Sequence, residues 1–175
     1  MGEAEARAFL EAGERHLNTG DHPAAEQAFR SAVAAAPDSG VAHSKLGVAL
    51  AQRGQIDAAI GEFSKAIALQ PGYAPAYSNL GNAYRQKGMM DEALVAYERA
   101  VALDPDYWVA HQNLGALYKQ TGRVGEAVEH FKKATRLSMR RPERSGGSAR
   151  RAGCLTRVAA VAVVAAAAAR WVLRA

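Results

Sequence analysis

The feature that most constrains this chain is a period of 34 residues. Pro37, Pro71 and Pro105 keep it, and so do Gly13, Gly47, Gly81 and Gly115. A second glycine series, Gly20, Gly54, Gly88 and Gly122, runs in step with the first. Ala25, Ala59, Ala93 and Ala127 follow, as do Ala32, Ala66, Ala100 and Ala134 and the aromatic series Phe29, Phe63, Tyr97 and Phe131. Six registers, five of them held over four copies, define a repeat protein, whose units bury their apolar faces only by stacking on one another.

Each unit reads as two helices. In the third, the pattern predicts a first helix over 74–87 and a second over 91–104. Gly88 suits the left-handed turn that ends a helix. Asp91 is expected to cap the next one, as are Asp57, Asp21 and Asp106 in theirs, with Pro23 pre-set just inside the second helix of unit one. Gly81 and Ala93 allow the paired helices to approach closely, and Tyr97 and Tyr84 fill the space between them.

The motif Tyr77-x-x-Leu80-Gly81-x-x-Tyr84, followed by Ala93, Tyr97, Ala100 and Pro105, resembles the tetratricopeptide repeat family. The resemblance spans residues 6–138 as units 6–37, 40–71, 74–105 and 108–138. It departs at Ala12 and His16 in the first unit and at Met139, where a proline falls due. It implies an all-α right-handed superhelix of about four helix-turn-helix units, with the first helices lining a concave groove that takes a peptide or protein partner.

Helical geometry separates the packed face of each first helix from its opposite, and the resemblance assigns the opposite face to the groove. With Tyr77 at zero and about 100° per residue, Tyr84 and Leu80 fall near 340° and 300°, the packed side. Asn82, Gln86 and Asn79 fall near 140°, 180° and 200°, opposite the packing and, by this pattern, free of it. The same positions along the stack are Glu11, Glu14 and Asn18; Lys45, Val48 and Gln52; Asn79, Asn82 and Gln86; and Asn113, Ala116 and Gln120. The groove therefore grades from acidic to neutral amides. The candidate partner-binding residues are Asn79, Asn82, Gln86, Asn113, Gln120, Lys45 and Gln52. A primary amide both donates and accepts, so it can pair with a peptide bond whatever the ligand's side chains. The recurrence of Asn79 and Asn113 is similar to the asparagine ladder in the repeat region of O-linked N-acetylglucosamine transferases. Lys45 and Glu11 break that ladder at its other end. A carboxylate clamp of the chaperone-binding kind is disfavoured, because the groove offers only Lys45 and Arg7 as cations, with Glu11 and Glu14 beside Arg7.

No active site is legible. His16, His43 and His111 occupy packing positions, and Glu126 with His130 reads as a surface pair four residues apart. The single Cys154 forms no intramolecular disulfide and no cysteine-rich zinc site. No phosphate-binding loop is present, and the aromatic residues keep repeat spacing instead of forming a base-stacking platform. The expectation is a non-enzymatic module with no cofactor, no metal, no small-molecule substrate and no specific nucleic-acid partner. Two alternatives are the substrate-recognition front part of a larger glycosyltransferase-like enzyme and a membrane-tethered assembly scaffold.

The net charge of +5 averages two unlike parts. Residues 1–134 hold 13 Lys+Arg and 16 Asp+Glu, whereas 135–175 hold nine Arg and one Glu. Residues 139–157 read as a basic flexible linker and 158–175 as an Ala/Val-rich tail. Its apolar run, Val158 to Ala169, would span about 18 Å as a helix, against about 30 Å for a hydrocarbon core. That tail reads as a capping or surface helix, a short membrane anchor, or non-native sequence from a GC-rich frame. The acidic opening MGEAEARAFLEAGERH predicts no secretory leader. The expected location is cytoplasmic, with membrane association through the tail as the alternative.

Overall fold

The computed structural model describes residues 2–140, and every described element is a helix. They are α1 (Gly2–Thr19), α2 (His22–Ala35), α3 (Gly40–Gln52), α4 (Ile56–Leu69), α5 (Ala74–Gln86), α6 (Met90–Leu103), α7 (Trp108–Gln120) and α8 (Val124–Arg140). Consecutive helices pair as α1–α2, α3–α4, α5–α6 and α7–α8, and each second helix packs on the first helix of the next unit. The fold is the all-α repeat superhelix that the period implies. Residues 139 and 140, read as the start of the linker, are instead the last two of α8; the rest of the linker and the tail lie outside the described residues.

The helices of a unit meet where an aromatic ring seats on a glycine. A Cβ added at Gly81 would lie 2.6 Å from the Tyr97 ring, and one at Gly47 the same distance from Phe63. Phe29, Phe63 and Tyr97 are at most 1% exposed, and the alanines around them are wholly buried. Each such ring contributes about 2–3 kcal/mol of burial, and the missing Cβ is what lets the ring in. The turn that reverses the chain is set by Gly88, at φ 80°, where a side chain would be strained.

The capping expectations divide. Asp21 accepts from the Ala24 amide at 3.1 Å, with Pro23 in the first turn as expected. Asp91 and Asp57 do not cap. Helices α6 and α4 start after Met89 and Gln55, which places both carboxylates inside the first turn. There Asp57 instead binds Lys87 of the next unit at 2.5 Å. Asp106 does not cap either, since α7 starts after Tyr107 and the Asp106 amide donates back to Asp104. Ser39 caps α3, accepting from the Ala42 amide at 3.2 Å.

Polar ties stitch neighbouring units together. Glu26, only 6% exposed, holds Arg30 of its own helix and Arg53 of the next unit. Burial pushes the Glu26 carboxyl up, but Arg53 and Arg30 outweigh it and hold the carboxyl below its usual range.

Candidate peptide-binding groove

The first helices form the inner wall of the stack. Helix α1 touches α3, α3 touches α5 and α5 touches α7, whereas the second helices of successive units do not meet. A stack whose first helices crowd while its second helices splay is curved toward the first helices. The candidate residues therefore sit on one strip: Lys45 and Gln52 on α3, Asn79, Asn82 and Gln86 on α5, and Asn113 and Gln120 on α7.

Their environments differ in a way the helical wheel did not separate. Gln52, Gln86 and Gln120 share one register and are all exposed. Asn79, Asn82, Asn113 and Lys45 are half-buried. Asn113 Nδ2 donates to Ser78 Oγ at 3.0 Å, and Asn79 Nδ2 donates to Ser44 Oγ at 3.4 Å. Each bond joins one unit to the next, and both serines are buried, at 0% and 2% exposure. The two asparagines are thus rungs between adjacent first helices. One amide N–H is used in the rung, leaving the second N–H and Oδ1.

Asn82 corrects the expectation that these amides are free of the packing. Its Oδ1 accepts from the Tyr97 hydroxyl at 2.7 Å. Tyr97 carries the one hydroxyl in its aromatic series, and a buried phenol requires a partner. The signal was present as two coincident departures in one unit: tyrosine where the other copies have phenylalanine, and asparagine where they have Glu14, Val48 and Ala116. The serine partners Ser44 and Ser78, 35 residues before Asn79 and Asn113, also went unread.

Lys45 is engaged as well. It binds Glu14 of the first unit at 2.7 Å. Tyr73 lies within their field: burial raises its phenol pKa, Lys45 lowers it and Glu14 raises it. The opening of the groove is thus an internally compensated Glu14–Lys45 pair, with Arg7 and Glu11 exposed on α1.

The histidines face the interior of the hairpins. His43 and His111 are 7% and 2% exposed. Each places Nε2 against the carbonyl of the proline six residues before it, at 3.0 Å to Pro37 and 3.1 Å to Pro105. His43 Nδ1 meets Glu62 at 2.6 Å, and His111 Nδ1 meets His130 Nδ1 at 3.0 Å. Burial lowers the pKa of both His111 and His130, and the neighbouring His111 lowers that of His130 further. The Glu126–His130 pair does not form, because Glu126 turns to Arg123 at 2.8 Å and His130 turns inward to His111. Among the described residues no three His, Cys, Asp or Glu side chains converge as metal ligands. No described helix is long and apolar enough to cross a membrane.

This chain belongs to the tetratricopeptide repeat family. The TPR repeat model matches residues 47–88 and again 81–122, and the tetratricopeptide repeat model matches 109–138. The crystal structure of MamA is 32% identical over 77% of this chain and 78% of that one, with a TM-score of 0.64. PilF of Pseudomonas aeruginosa is 26% identical over 81% of this chain and 64% of that one, with a TM-score of 0.71. The first TPR domain of Spaghetti (RPAP3), solved bound to the HSP90 peptide SRMEEVD, is 24% identical over 68% and 94%, with a TM-score of 0.62. That last likeness is one of fold. A comparison with curated proteins gives no match.

Proposed function

We propose that this chain is a non-catalytic interaction module that holds an extended peptide of a partner protein along its first-helix face. The rungs at Asn79 and Asn113 carry this reading. Adjacent first helices packed about 10 Å apart match about three residues of extended chain at 3.3 Å each. Each amide retains one N–H and its Oδ1, the pair needed to bind the C=O and N–H of one peptide unit. The exposed amides of Gln52, Gln86 and Gln120 continue this neutral surface along the groove. In RPAP3 the same fold carries a bound peptide. The acidic character of that peptide does not transfer, because Lys45 is neutralised here by Glu14.

The test uses the full chain and peptides selected on it from a random twelve-residue library. Asn79→Ala with Asn113→Ala removes the rungs and the ligand-facing amides together. Ser44→Ala with Ser78→Ala removes the rungs alone. If the amides bind backbone, the asparagine pair should cost about tenfold or more in affinity for groove-selected peptides, about 1.4 kcal/mol. The serine pair should cost far less at similar loss of stability. Equal losses for both pairs would assign the asparagines to the stack alone and defeat the reading.

A further inference from the structure

Opposite the amide strip, the third unit carries a hollow where its neighbours place larger, paired side chains. Registers 43, 77, 111 and 62, 96, 130 face each other across the two helices of units two to four. Unit two fills that space with His43 and Glu62, and unit four fills it with His111 and His130. In unit three the same positions are Tyr77 and Ala96. The alanine is too short to reach across, and α4 and α6 do not meet above α5. The result is an open hollow of about 490 Å³ floored by Tyr77, Leu80 and Tyr84 and walled by Val95 and Ala96. Val95 is 66% exposed at its edge, where the neighbouring units place Gly61 and Glu129.

The carboxylates beside the hollow outnumber the one cation there. Asp91 and Glu92 line it from the first turn of α6, and Arg99 lines it further along the same helix. In the preceding unit Asp57 is neutralised by Lys87. The residue that would do this for Asp91 is Thr121. In the following unit Glu126 is neutralised by Arg123, and the residue in that place for Glu92 is Met89. Neither carboxylate is paired with a described cation.

We infer that this hollow is a second docking site, on the face away from the amide strip, for a partner peptide that inserts an aromatic side chain beside a lysine or arginine. Two tyrosine rings and a leucine suit an aromatic anchor. The free carboxylates suit the adjoining cation. Asp91 and Val95 lie four residues apart on α6, about 6 Å. In an extended peptide that separates residues i and i+2, which project from the same side. The recognition pattern is therefore an aromatic residue with a basic residue two positions away.

The experiment uses the same random twelve-residue library, selected on the full chain. One class of selected peptides should carry the aromatic–x–basic pattern. Its affinity should fall at least tenfold with Ala96→Leu, which fills the hollow, and with Val95→Glu, which changes only an exposed side chain. It should fall severalfold with Asp91→Asn plus Glu92→Gln, and that loss should shrink at high salt. It should be untouched by Asn79→Ala plus Asn113→Ala. Selected peptides that lack the pattern, or that respond only to the asparagine variants, would overturn the site while leaving the groove reading intact. Self-association abolished by Val95→Glu, with no such peptides selected, would assign the hollow to a second copy of the chain and overturn the peptide reading.

Discussion

One chemical change, glycine to alanine, is expected to act with opposite signs at two helix-interior positions. In α5, a Cβ at Gly81 would lie 2.6 and 2.7 Å from two Tyr97 ring atoms, whereas favourable carbon contacts begin near 3.5 Å. The ring cannot step aside cheaply. It is 0% exposed, and its hydroxyl is held by Asn82 at 2.7 Å. Overpacking of this kind costs about 1–3 kcal/mol, and losing the phenol bond adds about 1 kcal/mol. Alanine recovers at most about 1 kcal/mol of helix propensity. The net expectation for Gly81→Ala is a destabilisation of about 1–3 kcal/mol. In α4, a Cβ at Gly61 meets nothing within 4 Å, so only the propensity gain remains and Gly61→Ala should stabilise by about 0.5–1 kcal/mol. Urea and thermal unfolding of the full chain, followed by far-ultraviolet circular dichroism, measure both. For a domain of this size the Gly81 variant should melt several degrees lower. In a Tyr97→Leu background most of the Gly81→Ala penalty should disappear, which a double-mutant cycle reads directly. If both substitutions shifted stability in the same direction, or if the cycle showed no coupling, the ring-on-glycine account of the hairpin would be wrong.

Acid should destabilise the stack in two stages. His111 and His130 have folded pKa values below their ordinary value of about 6.5, so the stability they contribute is full above that pH and is lost as pH falls through the depressed values. His130→Ala should flatten the melting temperature between pH 7 and 5. The lowered carboxyls of Glu26 and Glu62 contribute stability that is present above about pH 4.5 and lost as pH falls below it. Arg53→Met leaves buried Glu26 with Arg30 alone and should cost about 1 kcal/mol in urea unfolding, discounted because Arg53 is partly exposed. For groove-selected peptides, Gln86→Ala plus Gln120→Ala should weaken binding by less than about threefold, well short of the asparagine pair; equal losses would contradict the ordering of the two amide types.

The core was legible because it is what the four copies share. A ring on a glycine, with buried alanines on the ring's own helix, is dictated by the spacing of two helices, so every unit repeats it and the period exposes it. The groove was legible only as a direction. A helical wheel reports which way Asn79 and Asn82 point but treats a unit as if it stood alone. Asn79 bonds a serine 35 residues away, and Asn82 bonds a phenol on the partner helix. Neither contact lies within the single helix on which the wheel was drawn. The caps failed for a related reason. Asp57 and Asp91 fall inside the first turn, where a carboxylate still favours the helix dipole but is free to serve another unit, as Asp57 does with Lys87.

The departures from the repeat have an energetic logic. A long exposed glutamine must give up much of its rotamer freedom to hold a ligand, a cost of about 1 kcal/mol or more per side chain. Asn79 and Asn113 are shorter, half-buried and already tied to buried serines. Their cost of ordering is met when the stack folds, so a peptide meeting them forms its bonds with amides that are fixed in place. On the reading proposed above, a rung that serves the fold would therefore also favour recognition instead of competing with it. Asn82 is the limiting case. Its Oδ1 already accepts from Tyr97, which takes one of its two lone pairs, so toward a ligand it offers free donors but a weakened acceptor. Two amides one helical turn apart on α5 thus differ in what they can read, and the difference is set by which side chain stands behind each.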